Sequence, residues 1–124
     1  MQTIVLTTAA IFGILAIILG AFGAHLFKKF LPEEKLNSFE VGVRYQMYAA
    51  LALLIVGYNN DFSEAAQQWA FYGIAIGTVL FSFSIYGLSF ASHWKVNLRF
   101  LGPVTPLGGL LMIIGWVALL VSFY

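Results

Sequence analysis

Cysteine is absent from this chain of 124 residues. Its absence excludes disulfide staples, thiolate metal sites and cysteine nucleophiles, and carries no information about redox compartment. Charge is nearly as scarce: 9% of residues are Asp, Glu, Lys or Arg, against 61% apolar. Soluble domains average roughly 25% charged and 45–50% apolar. A soluble domain of this length could not hide so much apolar surface, because small domains leave much of their surface in water. The bilayer is the solvent that fits. Net charge is +1, which leaves no basic footprint for nucleic acid and no acidic tail. Enzyme signatures are missing too, with no GxSxG elbow, no HExxH helix and no P-loop, so a non-enzyme is expected.

Long apolar runs take their place. A helix needs about 20 apolar residues to cross about 30 Å of hydrocarbon. Residues 3–24 qualify with no charge at all, and residues 66–90 are longer and can tilt. Residues 107–123 are wholly apolar, with Thr105 as N-cap and Pro106 at the first helical position. The second span is harder, because its clean apolar core, residues 47–57, is only half long enough. To cross, that helix must start near Phe39, which sets Glu40, Arg44 and Gln46 at the headgroup layer. Spans near 3–24, 39–58, 66–90 and 106–123 predict one all-α integral membrane domain, four transmembrane helices in an antiparallel bundle. The first run ends in small residues, as a signal peptide does. It lacks a Lys/Arg-rich start and exceeds the usual apolar length of about 7–15 residues, so we read it as a retained transmembrane helix.

Loop charge gives an orientation. Lys28, Lys29 and Lys35 lie in the first loop and Lys95 and Arg99 in the third, whereas the second has Asp61 and Glu64 without Lys or Arg. Basic loops stay in the cytoplasm, so both termini are expected on the outer side of a bacterial inner membrane. Aromatics agree at both faces: Phe27, Phe30, Trp94 and Phe100 inside, Tyr58, Trp69, Tyr72 and Tyr124 outside. His25, Lys28, Lys29, His93, Lys95 and Arg99 are candidate lipid-headgroup contacts. Two histidines without cysteine or a carboxylate cluster are too few ligands for a metal centre, so neither metal nor cofactor is expected. Phe22-Gly-Ala-His25 and Phe90-Ala-Ser-His93 close the first and third spans alike. This echo suggests a duplicated helix pair, although it does not extend into spans two and four.

Gly73 and Gly77 form a GxxxG motif, and Ala16, Gly20 and Ala24 form a small-residue ladder. Small residues let helices approach closely in lipid, within one bundle or between copies. A thin bundle leaves much of its surface facing lipid, so membrane lipid and a homo-oligomer or larger membrane complex are the expected partners. Two segments carry the chemistry. Glu40 and Arg44 stand four apart on one helix face. In one reading Asn37 and Glu40 make a capping box and Glu40 pairs with Arg44. In the other the pair points inward as an anion or proton site. Tyr45 and Gln46 project in other directions, which weakens a catalytic reading. The second segment, LGPVTPLGG at residues 101–109, contains Pro103, Thr105 and Pro106. It is either a turn and helix start or a broken helix lining a site.

Three stretches, GAFGAH at residues 20–25, FEVGVRYQMY at 39–48 followed by ALALL, and LGPVTPLGG, resemble the family known as domain of unknown function 423. Its members are small four-helix membrane proteins of bacteria, with mitochondrial relatives in animals. The resemblance covers nearly the whole chain in order. It implies an inner-membrane protein with four spans and supplies no activity. Glu40, Arg44, Tyr45, Gln46, Pro103, Thr105 and Pro106 match the family pattern. Leu26 stands where glycine is common, and Ala49 where histidine is common, so a histidine chemistry at that second position is not essential here. The expected role is a non-catalytic accessory, assembly or lipid-binding component. The alternative is a small transporter or channel with an inward site at Glu40, Arg44 and the 102–109 break.

Overall fold

The uncharged N-terminal run forms α1, Gln2–His25. A short 3-10 turn at Phe27–Lys29 leads to Pro32. Pro32 sets the start of α2, Glu33–Asn59, since it offers no N–H and an extended backbone, with Glu33 and Glu34 in the first turn. The helix therefore begins at Glu33, not near Phe39, and Asn37 lies within it. The expected capping box between Asn37 and Glu40 does not form, because Pro32 has already taken the cap position. The third apolar run forms α3, Ala65–Ala91, interrupted by one π-helical turn at Val79–Phe83. A 3-10 turn at Arg99–Leu101 precedes α4, Val104–Val121. Pro103, not Thr105, caps α4. Pro106 still falls in the first turn, where a missing N–H costs nothing.

The computed structural model describes residues 1–124, apart from the side chain of Ala24. Four helices are long and apolar enough to cross a membrane, and the described residues contain no strand. Packing follows chain order. At one end Gln2 Nε2 donates to the Gly57 carbonyl at 2.8 Å, and at the other Gly23 faces the Phe39 ring, so α1 lies along α2. The helix α3 packs on α4 even more closely, and α2 meets α3 in the middle. The inner pair buries 39% of its most apolar stretch, against 22% for α1 and 17% for α4. The outer two thus turn most of their side chains to lipid.

The glycine motif works within the chain. A Cβ on Gly73 would stand 2.6 Å from Gly115 Cα, and one on Gly77 would stand 2.6 Å from the Met112 nitrogen. No side chain fits that crossing. On the α1 ladder Ala16 is buried and a Cβ on Gly20 would meet Val43 Cγ1 at 3.4 Å, while the third rung, Ala24, lies outside the described side chains. The core between α1, α2 and α3 is built from Val5, Phe12, Leu53, Val56, Phe71 and Ile74. Phe62 drops into it from the second loop and is 3% exposed, with φ at 59°. Beside it the Asp61 carboxylate accepts hydrogen bonds from the Ser63 N–H and hydroxyl. The backbone bond first, and the hydroxyl second, hold its carboxyl below the usual carboxylate range.

Candidate functional site

A helix that starts at Glu33 sorts the polar residues of α2 by face. Leu36, Phe39, Gly42, Gln46, Ala49 and Leu53 recur at helical spacing and are buried. Glu40, Arg44 and Tyr45 are exposed. Among the described residues no ion pair within 4.0 Å joins Glu40 to Arg44. Glu40 borders a shallow hollow of about 450 Å³ with Lys28, Glu33 and Asn37, and Thr105 is not among its lining residues.

Gln46 goes the other way. It is 0% exposed, and both ends of its amide are used. Nε2 donates to the Phe12 carbonyl of α1 at 2.9 Å, and Oε1 accepts from the Tyr86 hydroxyl of α3 at 2.6 Å. The π turn of α3 supplies the next links. Its wider winding re-aims the residues around it, so that Ser82 reaches α2 while Ser84 reaches α4. The Ser82 hydroxyl donates to the Gly42 carbonyl at 2.7 Å. Ser84 and Thr105 meet at 2.6 Å. Ser84 already donates to the Phe81 carbonyl at 2.9 Å; having a single hydroxyl proton, it accepts from Thr105. A polar seam thus runs through all four helices. Such interhelical bonds average about 0.6 kcal/mol in membranes, and their greater effect is to fix register.

Two buried side-chain atoms are left without a hydrogen-bond partner among the described residues, Gln67 Oε1 and the Oγ of Ser89, which is 2% exposed. A buried hydroxyl left unsatisfied costs about 1–3 kcal/mol. Ser89 lies at the polar end of a cleft between α2 and α4, floored by α3. That end, about 410 Å³, is lined by Lys35, Ser38, Ser89, Gly102, Thr105 and Pro106. The cleft continues as an apolar furrow of about 830 Å³ lined by Tyr45, Tyr48, Phe81, Pro106, Ile113 and Trp116. Pro106 borders both.

The structure therefore separates the residues the sequence suggested together. Gln46 and Thr105 enter the seam, Tyr45 and Pro106 line the furrow, and Glu40, Arg44 and Pro103 stay on the exterior. The sequence reading missed Ser82, Ser84, Tyr86 and Ser89. Their signal was available: four hydroxyls between residues 82 and 89 of one apolar span. His25, Lys28, Lys29, His93, Lys95 and Arg99 are exposed at one end of the helices, where the His93 ring packs 5.2 Å from that of Phe30. Among the described residues no group of three or more His, Cys, Asp or Glu side chains could hold a metal ion.

Four apolar helices joined by short basic or acidic loops define a multi-pass membrane protein. The family model for "Protein of unknown function (DUF423)" matches residues 19–109, and the chain belongs to that family. It is 38% identical to a UPF0382 membrane protein of Staphylococcus haemolyticus over 85% of this chain and 82% of the relative. It is also 38% identical to the UPF0382 membrane protein YwdK of Bacillus subtilis, over 91% of this chain and 89% of the relative. Identity to the UPF0382 inner membrane protein YgdD of Escherichia coli is 35%, over 92% and 84%. No solved structure matches the chain. These relatives bear out the expected placement in the inner membrane, and the family carries no assigned catalytic activity.

Proposed function

We propose that this chain is a non-catalytic scaffold of the inner membrane, an accessory, assembly or lipid-binding component with no aqueous pathway of its own. The observation that carries this reading is the use made of the buried polar groups. Gln46, Ser82, Ser84, Tyr86 and Thr105 bond to one another or to backbone carbonyls of neighbouring helices. A conduction path needs polar groups free to exchange partners with water or an ion. The charged pair that a transporter would use, Glu40 and Arg44, is exposed on α2, and neither residue lines the hollow that Thr105 borders.

The same reading takes the chain as one domain, an antiparallel four-span bundle with both termini outside. The approach of Gln2 to Gly57 and of Gly23 to Phe39 supports the first antiparallel pair, and the basic first and third loops support the orientation. The outward faces of α1 and α4 offer the surface on which a second copy or a larger membrane complex would sit. The test is reconstitution in liposomes, with flux of protons, anions and small cations followed across the bilayer. Flux equal to that of empty vesicles supports the scaffold reading. Flux that requires this protein overturns it in favour of a transporter or channel.

A further inference from the structure

We infer that the cleft between α2 and α4 is a binding site for an anionic phospholipid, its phosphate seated at the polar end and an acyl chain in the furrow. The inference deepens the scaffold reading and rests on it. Three independent features meet at the polar end. Lys35 brings a positive charge that has no carboxylate partner within 4.0 Å among the described residues. The first turn of α4 opens there at Thr105; Pro103 and Pro106 carry no N–H, so the N–H groups of Val104 and Thr105 are the ones this turn leaves free, at the helix end with partial positive charge. Ser89 lines the same hollow with a buried hydroxyl that no group among the described residues satisfies. A phosphate oxygen accepts from all three kinds of donor.

The ligand's tail is indicated by what lies next to this pocket. Beyond Pro106 the lining changes to Tyr48, Phe81, Ile113 and Trp116 and is mostly apolar. Free phosphate has no use for that furrow, whereas an acyl chain fills it. Position agrees as well. Lys35 and Gly102 flank the first and third loops, whose basic residues put this end of the bundle at the cytoplasmic leaflet. The seam bond between Thr105 and Ser84 holds the floor of the cleft at the junction of headgroup and chain.

Trp116 lines the furrow and is one of three tryptophans, so its fluorescence reports on the chain directly. The full chain carrying Trp69→Phe and Trp94→Phe, in detergent micelles, is titrated with phosphatidylglycerol brominated on its acyl chains. Saturable quenching of Trp116 is expected. Lys35→Gln weakens the apparent affinity about tenfold, and Ser89→Ala about threefold, in line with losing one charge-assisted and one neutral hydrogen bond. Ser89→Ala leaves the melting temperature of lipid-free protein unchanged or higher, because no intramolecular bond is lost; a purely structural serine would lower it. Diacylglycerol with the same brominated chains quenches at least about tenfold more weakly. Two results overturn the inference: diacylglycerol quenching as well as phosphatidylglycerol with no response to Lys35→Gln, or inorganic phosphate displacing the lipid at equal concentration. Either result with no liposome flux removes the lipid site and leaves the scaffold reading standing. Protein-dependent flux removes the scaffold reading whatever the titration shows.

Discussion

Removing the Gln46 side chain tests the seam where it is most buried. In Gln46→Leu two interhelical bonds disappear, one to the Phe12 carbonyl at 2.9 Å and one from the Tyr86 hydroxyl at 2.6 Å. The Phe12 carbonyl keeps its own helical partner, but the Tyr86 hydroxyl loses the Gln46 acceptor. Two membrane hydrogen bonds at about 0.6–1.7 kcal/mol each, plus part of an orphaned hydroxyl at about 1–3 kcal/mol, predict a loss of about 2–4 kcal/mol. Tyr86→Phe deletes only the second bond and strands one lone pair of the Gln46 amide, for about 1–3 kcal/mol. The double variant strands nothing at that contact, so it should cost less than the two losses added, by about 1–2 kcal/mol. Reversible unfolding in mixed micelles, read by tryptophan fluorescence, measures all three. Losses that add to within about 0.5 kcal/mol would refute the seam as an interacting unit.

Four further substitutions probe packing and charge. Gly77→Ala places a methyl 2.6 Å from the Met112 nitrogen and should destabilise by about 1–3 kcal/mol through overpacking. Gly13→Ala, whose methyl meets only Ala50 Cβ at 3.9 Å, should be neutral or gain up to about 1 kcal/mol from helix propensity; thermal melts of the two side by side decide the matter. Glu40→Gln and Arg44→Gln should each change stability by no more than about 0.5 kcal/mol and combine additively, as exposed residues without a shared contact do. A clear coupling between them in the same assay would show that they pair after all.

The four helices were legible because apolar run length is a direct physical requirement of the bilayer, and nothing else in the chain competes with it. Helix phase was harder to read. FEVGVRYQMY places Glu40, Arg44 and Gln46 within seven residues, and spacing shows that Gln46 faces away from the charged pair. It cannot say which face is the inside. That was decided by where α2 packs, with Phe39, Gly42 and Gln46 against α1 and α3. The start of α2 was misplaced because Asn37 and Glu40 make a plausible cap in isolation, whereas Pro32 had already supplied an earlier one. The serines of α3 went unnoticed for a different reason. In FSFSIYGLS they look like tolerated small residues, and no local pattern announces the π turn that aims Ser82 and Ser84 at different neighbours. The 101–109 segment stood out by its prolines and glycines, but the hollow it borders is completed by Lys35 and Ser89 from distant helices, which no local pattern announces.

The chain's lack of cysteine makes the most direct test available, since any introduced thiol is the only one present. Single variants Glu40→Cys, Arg44→Cys and Ser82→Cys, in oriented membrane vesicles, are challenged with a membrane-impermeant maleimide from each side. If the buried polar residues hold helices together and the charged ones face outward, Glu40→Cys labels from the cytoplasmic side alone and Arg44→Cys follows it more slowly. Ser82→Cys, with a side chain fully buried against Gly42, stays unlabelled from both sides. Labelling of Ser82→Cys at a rate comparable to Glu40→Cys would contradict the account, because it would mean that water reaches the seam.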